Sequence, residues 1–117
     1  MDYQPACGAG NLLLVNPPFA LMTTNIDQIL EERGKRYGSF RGHACITQCL
    51  KKTIEAGLKD RGTRLRDDQQ EALDMICHKI GRIINGDPDY ADSWDDIAGY
   101  AKLVADRLHA EQQQTPS

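Results

Sequence analysis

The chain has 117 residues and a mass of 13.1 kDa, which is the usual size of one domain. With 40% apolar, 26% charged and 6% aromatic residues, the composition is typical of a globular protein that is low in strand-favouring residues. The formal net charge of −3 argues against a nucleic-acid polymer as partner, because such binding depends on Lys and Arg that neutralise phosphates. A mononucleotide needs only a few local cations and stays compatible with this charge.

The first 22 residues differ from the rest of the chain. Glycines and prolines interrupt any regular spacing of apolar residues there, so no amphipathic pattern emerges. We therefore predict an irregular N-terminal arm over residues 1–22 that packs weakly or on a partner. The apolar stretch "GNLLLVNPPFALM" is too short to span a bilayer, and no secretion signal pattern is evident. Met22, followed by Thr23, Thr24 and Asn25, would make a natural protein start, with Thr24 or Asn25 as the cap of the helix that follows. The first 21 residues are therefore expected to be an upstream extension.

The four cysteines suggest small buried thiols rather than disulfides. Cys45 and Cys49 are four apart on one predicted helix face, and Cys77 lies among apolar residues. Unpaired cysteines indicate a reducing compartment, so a cytoplasmic protein is expected. Zinc held by Cys45, Cys49, Cys77 and His78 is the alternative, which the absence of a C-x-x-C pair disfavours.

Two short helices are predicted in the first half of the domain. Ile26, Ile29 and Leu30 repeat at helical spacing until Gly34, and a second amphipathic helix covers roughly residues 43–58. Between them, "GKRYGSFRG" combines three glycines with cations and two aromatics, which predicts a loop. That loop is either a binding element or a plain connector whose Tyr37 and Phe40 cover the edge of the core.

The second half of the domain contains the clearest helical periodicity. A third helix is predicted to begin at a cap formed by Asp67 or Asp68, and "NGDPDYADS" predicts the turn after it. A fourth helix is predicted to begin near Asp92 or Ser93, within a helical domain of residues 23–112 and before a frayed tail of residues 113–117. Seven apolar residues are predicted to be buried together between the third and fourth helices: Leu73, Ile76, Ile80, Ile84, Ile97, Ala101 and Val104.

Carboxylates recur at helical spacing on these two helices. Glu71 and Asp74 are three residues apart, and Asp92 is three and four residues from Asp95 and Asp96. A cluster of such groups would need a cation, and magnesium prefers oxygen ligands. The alternative is that these carboxylates lie on the solvent-exposed faces of two helices, and that Asp92 caps the fourth helix.

Cations and glycines accompany the carboxylates. Lys79 and Arg82 follow along the third helix, where they could meet phosphate oxygens. Gly81 and Gly99 occupy helix-interior positions that cost about 1 kcal/mol relative to alanine. They indicate either a surface shaped for close approach of a ligand or tight helix packing.

The segments "ILEERGKRYGSF" and "EALDMICHKIGRIINGDPDYADSWDDIAGYA" resemble a family of small phage and prophage proteins with R-G-x-x-Y-G, K-x-x-R and D-x-x-x-D-x-x-G-Y-A segments. That group is in turn similar to MazG-like all-α nucleotide pyrophosphatases and to domains associated with nucleotide modification. The resemblance implies an all-α, compact four-helix MazG-like bundle. It also implies a homo-oligomer in the bacterial host cytoplasm, without a membrane or nucleic-acid polymer as partner.

The resemblance also implies a function and a set of site residues. A magnesium-dependent nucleoside triphosphate pyrophosphohydrolase would use Glu71, Asp92 and Asp96 as catalytic metal ligands, with Asp74 and Asp95 as further ligands. Phosphate would be held by Lys35, Lys79 and Arg82, and the base would stack on Tyr37 or Tyr100. Asp74 stands where the MazG-like motif has glutamate, and the second motif lacks one. There are two alternatives. The protein is either a binder that sequesters a nucleotide or a nucleotide-derived signal without hydrolysis, or a protein-interaction module.

Overall fold

The computed structural model describes residues 25–114 of the chain. This part of the chain forms four helices and no strand: α1 (Asn25–Tyr37), α2 (Phe40–Arg61), α3 (Asp67–Asn85) and α4 (Ala91–Gln114). The predicted all-α class is confirmed. The predictions for the N-terminal arm lie outside the described residues.

The segment predicted as a nine-residue loop is almost entirely helical. α1 continues through Tyr37, and only Gly38 and Ser39 separate it from α2. Gly38 makes the turn with φ of +80°, a left-handed angle that a side chain would disfavour. The Ser39 hydroxyl then accepts a hydrogen bond from the amide of Gly42 at 3.0 Å and caps α2. The loop prediction was wrong because one glycine and one capping serine are enough to connect the two helices.

The start of α3 also differs from the predicted cap. Arg66 occupies the N-cap position, and its amide donates to the side-chain oxygen of Gln69 at 2.8 Å. Asp67 and Asp68 lie in the first turn instead, where a carboxylate is favourable next to the positive end of the helix.

The helices form an open layer with α3 in the middle. α4 packs along one side of α3 and α2 along the other, and α2 and α4 do not touch. Ion pairs show that α3 and α4 are antiparallel, as predicted: Lys79 meets Asp96 at 2.8 Å, and Asp68 near the start of α3 meets Arg107 near the end of α4 at 2.6 Å.

This open layer buries few side chains completely. Among the described residues, the buried hydrophobic side chains are those of Ala72 and Cys77. Of the seven residues predicted to be buried together, five are half-buried (Leu73, Ile76, Ile80, Ile97 and Val104), whereas Ala101 and Ile84 are exposed. The prediction was wrong for those two, since none of the four helices in residues 25–114 covers α3 and α4 at these positions.

The three cysteines in the described part of the chain differ in bonding and in exposure. Cys77 is a buried free thiol, Cys49 is a free thiol at the surface, and Cys45 is disulfide-bonded. The expectation of unpaired buried thiols therefore holds at Cys77 and fails at the other two. No helix in residues 25–114 has the length and apolar character needed to cross a membrane.

Asn85, at the end of α3, joins α1 to the layer. Its side-chain Nδ2 donates to the carbonyls of Tyr37 at 2.9 Å and Ser39 at 2.8 Å. A Cβ on Gly38 would collide with the Asn85 carbonyl oxygen, and one on Gly42 would lie 2.5 Å from the side-chain oxygen of Asn85. We call this junction the Asn85 clasp. Because α1 contains no buried residue, its position depends on polar contacts at its C-terminal end: the clasp and the hydrogen bond from the Asp87 amide to the Arg36 carbonyl at 2.9 Å.

Candidate binding site

A pocket of about 600 Å³ opens where α1, the start of α2 and the end of α3 meet. Its lining includes two arginines, two histidines and two aromatic rings: Arg33, Arg82, His43, His78, Tyr37 and Phe40. Among residues 25–114, no carboxylate lines it. The pocket therefore combines positive charge, hydrogen-bonding groups and a flat apolar surface. This combination fits an anionic ligand that contains an aromatic ring.

The two histidines form a pair at the floor of the pocket. The Nε2 atom of His43 lies 3.1 Å from the Nδ1 atom of His78, and the rings meet edge to face. His43 is 6% exposed. Burial lowers the pKa of His78 to about 4, helped by its neighbours His43 and Arg82. Burial and Arg82 likewise lower the pKa of His43. At neutral pH both rings are therefore uncharged.

Folding stability should decrease on acidification because of this pair. Between pH 6.5 and about 4 the unfolded histidine binds a proton that folded His78 does not bind, so the unfolded state gains stability as the pH falls. We expect the free energy of unfolding, measured by urea titration, to fall through this window. His78→Gln should reduce that slope, because glutamine does not titrate in this range. An equal slope in the wild type and in His78→Gln would contradict this assignment.

Arg82 is held in place by an aromatic ring. Its guanidinium carbon lies 4.2 Å from the centroid of the Tyr37 ring, a cation–π geometry. Tyr37 in turn contacts Tyr90 edge to face, with ring centroids 6.1 Å apart. Phe40 is 80% exposed at the rim. The pocket thus presents one positioned arginine and one exposed aromatic ring, which contacts His43 with ring centroids 6.2 Å apart.

Gly81 allows α2 and α3 to approach closely beneath the pocket. A Cβ at this position would lie 2.5 Å from the Thr47 hydroxyl and 2.9 Å from His43 Nδ1. Gly99, in contrast, has no atom within 4 Å of its would-be Cβ. Gly81 therefore serves tight helix packing, and Gly99 lies on an open surface.

The predicted carboxylates lie outside this pocket. Asp96 pairs with Lys79, Asp92 accepts a hydrogen bond from the Tyr90 hydroxyl at 2.9 Å, and Asp74 accepts one from Gln70 at 3.0 Å. The remaining two, Glu71 and Asp95, are exposed.

The antiparallel pairing separates the two predicted carboxylate groups along the helices. With Lys79 opposite Asp96, Glu71 and Asp92 are about 18 Å apart along the helix axes at 1.5 Å per residue. Within residues 25–114, no three His, Cys, Asp or Glu side chains form a group that could hold a metal ion. One chain does not bring Glu71, Asp92 and Asp96 together, and their role as ligands stays a prediction. The same finding leaves the zinc alternative without a ligand group in this range.

The predicted substrate-binding residues are divided between sites. Arg82 and Tyr37 line the pocket, Lys79 is in its ion pair, and Lys35 is exposed on α1. Tyr100 lines a separate shallow groove of about 490 Å³ on α4, together with Asp95, Asp96 and Gly99.

Among the six arginine, histidine and aromatic residues of the lining, four were not predicted as binding residues from the sequence: Arg33, Phe40, His43 and His78. One signal could have indicated His43. It lies four residues before Thr47, so two polar side chains share the buried stripe of α2, and buried polar groups need partners. The pairing of His43 with His78 is a tertiary contact without a sequence signal of its own.

Comparison with known proteins gives one match. Residues 20–108 match the model of a domain of unknown function, DUF6378. No curated protein and no solved structure matches the chain.

Proposed function

Since the chain belongs to the DUF6378 family over residues 20–108, which carries no assigned activity, we propose a function from the pocket itself. We infer that the protein binds a phosphorylated small molecule with an aromatic ring, of the mononucleotide class. The observation that carries this proposal is the lining of the pocket, in which the described residues supply two arginines, two uncharged histidines and two aromatic rings but no carboxylate.

Each group has a role in such a complex. Arg82, held over Tyr37, presents a planar guanidinium that suits the oxygens of a phosphate, and Arg33 adds a second positive charge. The exposed ring of Phe40 offers a face on which a base can stack. The uncharged histidine pair supplies donors and acceptors without adding charge. The cations and the stacking surface belong to one pocket, so one ligand can use both.

Binding without hydrolysis is the form that the contacts favour. The ammonium group of Lys79 lies 2.8 Å from the carboxylate of Asp96, so the carboxylate proposed as a metal ligand already has a cationic partner. The part of the pocket lining that the structure describes offers no acidic side chain as an oxygen ligand for magnesium. Sequestration of a nucleotide or of a nucleotide-derived signal fits this chemistry.

A phage-encoded, MazG-like magnesium-dependent pyrophosphohydrolase is the second candidate. It is favoured by the α4 groove, in which Asp95 and Asp96 lie beside Tyr100. Because Glu71 and Asp92 are far apart in one chain, a metal site of this kind would need carboxylates from another chain. Pyrophosphate release that requires magnesium and is lost in Asp96→Asn would establish this candidate and overturn the binder.

The proposal is tested by thermal melting with nucleoside mono-, di- and triphosphates, in EDTA and in magnesium. A ligand at 100 times its dissociation constant stabilises a protein by about 2.7 kcal/mol. For a domain of this size that corresponds to a rise in melting temperature of about 10 °C. We expect such a rise with at least one nucleotide in both buffers.

Arg82→Ala should remove most of this rise. A hydrogen bond to a charged group contributes about 1.5–3 kcal/mol, so the dissociation constant should increase roughly 10- to 100-fold. Arg64→Ala, a loss of the same charge in the exposed segment between α2 and α3, is the matched control and should bind like the wild type. The absence of a shift with every nucleotide would contradict both nucleotide functions and favour a protein-interaction module.

A further inference from the structure

The two sides of the α2–α3–α4 layer differ in chemistry. One side carries the binding pocket with His78 and the pairs Lys79–Asp96 and Asp68–Arg107. A second cavity, of about 350 Å³, continues this charged side between α2 and α3, and its lining includes Gln48, Lys52 and Asp74. We call this the charged side.

The opposite side of α3 is apolar. Residues two apart lie about 160° apart around a helix, so Ile76 and Ile80 lie on the far side of α3 from His78. Leu73 and Ile84 extend this stripe by one turn in each direction. The first three are half-buried, and Ile84 is 63% exposed.

The neighbouring helices continue the apolar stripe. On α2, Ile46 and Leu50 are each two residues from Gln48 and Lys52 of the charged side, so they also lie on the far side. On α4, Ala105 is two residues from Arg107, and Ala101 and Leu108 share its side of the helix. The three helices together present one apolar face that none of the named ion pairs crosses. We call it the apolar face.

We propose that a second copy of this chain docks on the apolar face. α3 has 19 residues, so the face is about 28 Å long at 1.5 Å per residue. Three adjacent helices about 9 Å apart make it about 27 Å wide. Its area of about 750 Å² is close to the roughly 800 Å² that each partner buries in a stable protein–protein interface.

A second copy fits this face better than a charged partner. Both surfaces are then apolar and identical, which permits a two-fold symmetric interface. The charged side of each copy faces outward, so like charges stay apart and each binding pocket stays open. The interface also completes a core that, among the described residues, contains only Ala72 and Cys77 as buried apolar side chains.

The test is the mass of the full chain in solution by sedimentation equilibrium, with two matched variants. The wild type should have twice the 13.1 kDa mass of the chain. Ile84→Glu should raise the dimer dissociation constant about tenfold or more, because docking would bury its carboxylate. Leu103→Glu is the control, since Leu103 is 68% exposed and lines the groove with Asp96 on the charged side. It should stay dimeric.

A second measurement covers the case in which Ile84→Glu fails to fold. The wild-type melting temperature should rise with protein concentration, because association stabilises the folded state by mass action. A wild-type monomer at every concentration would overturn the proposal and would mean that another occupant, such as the apolar N-terminal arm, covers the face. Dimers that dissociate equally in Ile84→Glu and Leu103→Glu, or in neither, would also overturn it.

Discussion

Gly81→Ala is expected to destabilise the fold although alanine is the better helix former. The added Cβ would meet the side chains of Thr47 and His43, which are 4% and 6% exposed, so one of these packed side chains or a helix would have to shift. Overpacking of this kind typically costs about 1–3 kcal/mol, which exceeds the helix-propensity gain of about 1 kcal/mol. Urea denaturation should therefore show a net loss, and Gly81→Val should show a larger one.

Gly99→Ala is the matched control, with an effect of opposite sign. Gly99 also lies inside a helix, and its would-be Cβ meets no atom within 4 Å. Only the higher helix propensity of alanine remains, so the free energy of unfolding of this variant should increase by about 0.5–1 kcal/mol. Equal effects of alanine at the two positions would contradict the close approach of α2 and α3.

Asn85→Ala is expected to release α1 from the layer. The variant loses two hydrogen bonds to the turn between α1 and α2, each contributing about 1 kcal/mol, so a loss of about 2 kcal/mol is expected. Since Arg33 and Tyr37 reach the pocket from α1, nucleotide binding should be lost as well. Amide hydrogen exchange should become faster in residues 30–40 before it does in α3.

Gln70→Ala controls for the loss of a side-chain amide from the same helix. Gln70 donates one hydrogen bond to Asp74 within α3 at the surface, and such a change is usually within about 0.5 kcal/mol of neutral. If Asn85→Ala melted like Gln70→Ala and still bound nucleotide, the clasp would not be what positions α1.

The helices of this fold could largely be predicted from the sequence, but the contacts between them could not. The stripe from Leu73 to Ile84 identifies α3 because its period depends only on local geometry. The incomplete burial of this stripe depends on where α2 and α4 lie around α3, and the spacing of apolar residues in one helix does not specify the positions of other helices. The turn at Gly38 was mistaken for a long loop, since the preceding residues are compatible with both loop and helix, and the Asn85 clasp selects helix.

The candidate site shows the same division. Arg82 and Tyr37 could be predicted because cations and aromatics near glycines indicate binding chemistry, and both line the pocket. The histidine pair joins residues that are 35 positions apart, a contact that requires the packing of α2 on α3. The carboxylates were predicted as metal ligands from their helical spacing and from the resemblance to MazG-like enzymes. The antiparallel alignment of α3 and α4 separates Glu71 from Asp92 along the layer.

The most direct test of the proposed function is a nucleotide titration followed by NMR of the histidine and arginine side chains. The ligand that shifts the melting temperature is added in EDTA. The signals of His43, His78 and the Arg82 guanidinium should shift together, with one dissociation constant, because these groups line one pocket. The signals of His109 and Arg64, which are exposed and do not line the pocket, should stay unchanged. Shifts confined to the α4 groove around Asp96 and Tyr100, with the His43–His78 signals unmoved, would contradict the pocket as the site of binding.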